Sequence, residues 1–103
     1  MEQIERITKM EQCLDASEKA IRELSKALSA FETVQLQYRQ LSDYFGSEQW
    51  MQDYEDDEAG KLPRDLKRGV LSEDAVYDLT TENRELLVRM LRLVTAALES
   101  DIL

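Results

Sequence analysis

The chain has 103 residues, 43% hydrophobic and 34% charged, with a formal net charge of -9. By size this is one domain with a modest core, and it is too apolar for a disordered chain. No segment offers the basic field that a phosphate backbone requires, and no apolar window is long enough to span a bilayer, so nucleic-acid and membrane roles are disfavoured.

The single cysteine, Cys13, cannot form an internal disulfide, and Met1 is followed at once by Glu2, Glu5 and Arg6 rather than by the apolar segment of a secretory leader. A cytoplasmic setting is expected. The chain also lacks histidine. Ser–His and Cys–His nucleophile pairs therefore cannot be built, nor can histidine-based zinc sites or a thiolate cluster. The three glycines are isolated, which removes a phosphate-cradling loop. No cofactor and no catalytic residue is expected, and the chain reads as a non-enzyme.

Apolar residues recur in steps of three and four from Ile4 through Leu14, Ile21, Leu28 and Val34 to Phe45, which predicts a first helix over about 2–45. At 1.5 Å per residue it would be roughly 65 Å long. Through Phe31 the spacing is a heptad: Ile7, Leu14, Ile21 and Leu28 take one core position, and Met10, Ser17, Leu24 and Phe31 take the other. Two consecutive steps of three around Val34 should disturb the supercoil locally. Cys13 neighbours the stripe and is expected to be half-buried.

Gly46 suits a left-handed helix terminus, and Ser47 then caps a short second helix over about 47–59, with Gly60 as its stop. Residues 60–71 read as a connector in which Pro63 opens one helical turn. Ser72 caps a third helix over about 72–100, with Leu71 and Val76 placed as a hydrophobic staple. Asn83 lies on the core line of that helix, whose apolar surface is wider than a single seam. The expected fold class is all-α: a single domain in which a long helix, a short middle helix and a C-terminal helix form an elongated antiparallel bundle or coiled coil. The unmatched wide face of the third helix predicts a homodimer.

Three groups invite a chemical reading. Asp53, Asp56 and Asp57 share one helical face and are weak candidates for a divalent-cation site. An EF-hand fails on the letters, because aligning Gly60 with the required glycine puts Leu66 where the bidentate glutamate belongs. A solvated or salt-bridged face is the plainer reading. Trp50 with Tyr44, Phe45 and Tyr54 suits either a partner anchor or a plug where the first helix turns over. The plug is favoured for Phe45 and one face of Trp50, with Tyr54 expected to be exposed. Lys61, Arg64, Lys67 and Arg68 form too small a cluster for nucleic acid. A candidate partner surface takes in Trp50, Tyr54, Asp53, Asp56, Asp57, Lys67 and Arg68.

The run YFGSEQWMQDYEDDEAGKLPRDLKRGVLSEDAVYDL, preceded by MEQIERITKMEQCLD, resembles a family of small bacterial proteins catalogued as domain of unknown function 4298. The Gly46-Ser47-x-x-Trp50 turn, the DYEDDEAGKLP stretch and the RGVLSED entry to the last helix carry the resemblance. It implies a bacterial cytoplasmic protein and brings no activity, ligand or catalytic residue with it. The function that follows is a small helical interaction or adaptor protein, with a cation-responsive regulator as the alternative.

Overall fold

A computed structural model describes residues 1–100. They are all-α: α1 (Glu2–Thr33), α2 (Gln35–Tyr44), α3 (Glu48–Glu58), a single 3-10 turn (Gly69–Leu71) and α4 (Glu73–Glu99), with no strand among the described residues. The chain divides into two compact units, Met1–Arg39 and Gln40–Leu103, and the boundary falls within α2.

In the first unit the regular helix pauses at Val34, where φ is -92° and ψ 3°. Two side chains compete there for backbone acceptors. The Thr33 hydroxyl donates to the Ser29 carbonyl at 2.9 Å, and the Gln35 amide donates to the Phe31 carbonyl at 3.3 Å. Such back-bonding bends a helix at the carbonyls it captures. Hydrogen bonds from Val34 N to Ala30 O (3.3 Å) and from Tyr38 N to Val34 O (2.9 Å) bracket the pause. No residue of α1 is buried. Its apolar stripe is exposed, from 39% at Leu28 to 68% at Ile21, and only Phe31 at its end is half-buried. Cys13, expected half-buried, is exposed as well, since it flanks a stripe that is itself uncovered.

The second unit is built on local signals. Gly46 takes the left-handed conformation (φ 81°), a region that costs a side chain roughly 1–2 kcal/mol. The Ser47 hydroxyl accepts from Trp50 N at 3.2 Å and donates to the Tyr44 carbonyl at 2.6 Å, so one residue ends α2 and starts α3. At the far end of α3, Gly60 (φ 72°) and Lys61 donate their backbone N–H groups to the carbonyls of Asp57 and Asp56, both at 3.0 Å. These paired bonds satisfy acceptors that the helix end would otherwise leave open. Ser72 caps α4 through Ala75 N at 3.4 Å.

The connector differs from expectation. Pro63 makes only a turn, with Leu66 N on its carbonyl at 3.3 Å, and the helical turn forms at Gly69–Leu71 instead. There it places Leu71 inside. The core of this unit is Trp50, Leu71 and Val76, one residue each from α3, the 3-10 turn and α4.

Trp50 is only 5% exposed, and removing it empties the largest share of that core. Trp50→Ala is expected to cost about 3–5 kcal/mol. Trp50→Phe, which keeps a ring but loses the indole donor, should cost about 1–2 kcal/mol. Urea unfolding followed by circular dichroism at 222 nm measures both, and equal losses would contradict the hydrogen-bond share.

Candidate functional site

The groups singled out in the sequence lie at the end of α2, on α3 and on the connector that follows it, within the second unit. Ser47 and Gly46 set the start of α3, which carries Trp50, Asp53, Tyr54, Asp56 and Asp57 in successive turns. Trp50 points inward. Phe45 meets its ring edge-on at 5.1 Å between centroids, and Tyr54 stacks on it at 5.3 Å. Such pairs add about 0.5–1.5 kcal/mol beyond their buried area. The indole N–H donates to the Val70 carbonyl at 2.9 Å, which ties α3 to the residue before Leu71. Tyr54, expected to be exposed, is half-buried because that stacking covers one of its faces.

The three aspartates share a helix but not a centre. Asp53 accepts the Tyr44 hydroxyl at 2.6 Å. Asp56 accepts from the Gln52 amide at 3.0 Å and lies 3.8 Å from the Lys61 ammonium. Asp57 pairs with the Arg68 guanidinium, which also donates to the carbonyls of Pro63 and Leu66. Each carboxylate is thus turned to a different partner. Among the described residues no group of three or more acidic or thiol side chains could hold a metal ion. Lys67 stays exposed.

The arrangement is a latch. Arg68 reaches back over its own connector to α3, and the acceptors it meets are two backbone carbonyls and one carboxylate. Acidic residues near a helix C-terminus oppose its dipole, and Lys61 and Arg68 offset that cost where they stand. The sequence could not reveal the Tyr44–Asp53 bond, because the two residues belong to different helices and meet only after the Gly46 turn. Arg68 was placed with Lys67 on the candidate partner surface, and nothing local marked it as the partner of Asp57; that proximity follows from the Gly60 reversal.

Open grooves border this region. One runs along α4 between Thr81, Arg84, Val88, Arg89 and Arg92, with Glu85 as its only carboxylate. A second lies between α2 and the first turns of α4, lined by Phe45, Val76, Tyr77 and Thr80. A third, at the start of α4, holds Glu73 and Asp74 beside Tyr77. Those two acids occupy the first helical turn, where the dipole favours them.

Two measurements check this account. The hydrogen bond to Asp53, then burial, then the Asp53 charge push the Tyr44 phenol from 10.0 up to about 12. Because the folded value is the raised one, the stability it contributes is present below pH 10 and is lost as the pH rises to about 12. Ultraviolet titration of phenolate should show a late step that vanishes in Tyr44→Phe and moves earlier in Asp53→Asn. Millimolar Ca²⁺, Mg²⁺ or Mn²⁺ should move the melting temperature of the wild type no more than that of Asp53→Asn/Asp56→Asn/Asp57→Asn. A shift confined to the wild type would restore the cation reading.

Comparison with curated proteins and with solved structures finds no match. A family model described as a domain of unknown function, DUF4298, matches residues 7–93, from the first full heptad of α1 through the Trp50 core and the Arg68 latch into the last turns of α4. The chain belongs to that family.

Proposed function

We propose that this is a non-enzymatic helical interaction protein of the bacterial cytoplasm, active as a homodimer, whose association face is the apolar stripe of α1. One observation carries the reading. Ile4, Ile7, Met10, Leu14, Ile21 and Leu24 are each at least half exposed along a single helical line. Contiguous apolar surface of that extent marks an interaction site. The central segment has a different part: its tryptophan is interior and its aspartates are bonded within the second unit, so it shapes that unit. Two features support the setting. The one cysteine is free and exposed, as suits a reducing compartment, and no helix among the described residues is long and apolar enough to cross a membrane.

Light scattering of the purified chain at micromolar concentration should give the mass of two chains. Leu14→Glu/Ile21→Glu places charges in the stripe and should raise the dissociation constant at least about a hundredfold, with loss of helicity at 222 nm. A wild-type mass equal to one chain defeats the dimer.

A further inference from the structure

The flanks of the α1 stripe are asymmetric, and that asymmetry selects how two copies lie together. In the heptad, Ile7, Leu14, Ile21 and Leu28 are the a positions, and Met10, Ser17, Leu24 and Phe31 the d positions. One flank, position e, is acidic at Glu11, Glu18 and Glu32. The other, position g, is small and uncharged at Cys13, Ala20 and Ala27, with a single cation at its start, Arg6. These flanking residues are all exposed, and among the described residues neither Arg6 nor Glu11 makes an ion pair.

Partner orientation in a two-stranded coil is set at e and g. An antiparallel pair brings e against e. Every heptad register of that arrangement that overlaps the two helices by more than two heptads sets at least one glutamate of this row against a glutamate of the other copy. A parallel pair brings each g residue against the e residue five positions later in the other copy. Arg6 then meets the partner's Glu11, twice by symmetry, and the remaining glutamates face Cys13 and Ala27 without a like charge.

We propose that two copies of α1 pair in parallel and in register, oriented by Arg6 against the partner's Glu11. The proposal rests on the dimer reading above and adds its geometry. The 32 residues of α1 give about 48 Å of helix, and its a, d, e and g positions supply about sixteen residues a side. At the density of standard interfaces that is about 500 Å² per copy, or about 1,000 Å² in all, which reaches the lower bound for a specific contact. Ser17 sits opposite itself in this register. A polar layer among apolar ones costs stability where it is matched and more where it is not, so it holds the two helices in step.

Disulfide trapping tests the geometry on the full chain. Under mild oxidation, Cys13→Ser/Ser17→Cys should give covalent dimer as the main product, because d positions face each other across a parallel seam. The wild type, with Cys13 at a g position on opposite sides of the seam, should stay unlinked. Arg6→Glu should weaken the dimer about tenfold, and Arg6→Glu/Glu11→Arg should restore it. A two-chain mass with no link through Ser17→Cys, but with efficient linking of Cys13 to Ala27→Cys, overturns the parallel pairing and leaves the dimer standing. A one-chain mass overturns both.

Discussion

The second unit depends on where Trp50 goes. Its indole N–H closes a 20-residue separation onto the Val70 carbonyl, and that closure brings Leu71 and then Val76 into the same small core. Fixing the ends of a flexible loop of that length costs about 3 kcal/mol. The exposed members of the latch cannot supply it, since pairs such as Lys61–Asp56 are each worth about 0–1 kcal/mol. Burying an indole, at about 150–250 Å² and 25 cal/mol per Å², contributes about 4–6 kcal/mol. The apolar term therefore closes the loop, and the polar contacts choose which conformation it closes into. Arg68, spread over two carbonyls and Asp57, is the clearest of those choices.

This ordering changes what the acidic run Asp53–Glu58 signifies. Six residues with five carboxylates look like a ligand set when read as letters. Folded, the run supplies acceptors to three different donors: a phenol before it, an ammonium at its end and a guanidinium from beyond the connector. A cation would need those carboxylates to converge and to release their present partners. What the segment provides is a fixed junction between α2, α3 and the entry of α4.

The all-α class and the junction were legible for one physical reason: helix ends are written locally. Gly46, Ser47, Gly60 and Ser72 each act on backbone groups within a few residues, so their chemistry survives without knowledge of the fold. Leu71 and Val76 follow from the same rule. Features needing two distant residues were not legible. The pause at Val34 comes from Thr33 and Gln35 side chains bonding backward, where the letters showed only a stripe out of step. The connector's helical turn forms at Gly69–Leu71 rather than at Pro63 because Trp50 recruits the Val70 carbonyl, a contact no local pattern encodes. Tyr54 and Cys13 were misjudged in opposite directions. A residue beside charges acquired a stacked ring, and a residue beside apolar neighbours stayed exposed because those neighbours did.

That last point bears on α1 as a whole. An isolated helix is marginal in water even with favourable residues, since helical stability in proteins comes mostly from packing an apolar face. Here the face exists, keeps heptad spacing from Ile7 to Phe31, and is exposed along most of that length. No residue of α1 is buried, and its one ion pair among the described residues, Arg22 with Glu18 at 3.6 Å, is an exposed i,i+4 pair worth about 0.3–0.5 kcal/mol. Local terms of that size cannot hold 32 residues in one conformation. Covering the stripe, as the proposed second copy would, is worth about 1.5–3 kcal/mol for each large side chain taken from water, several times the local total. The second unit carries its stability inside itself through Trp50, while the apolar face of the first lies on its surface.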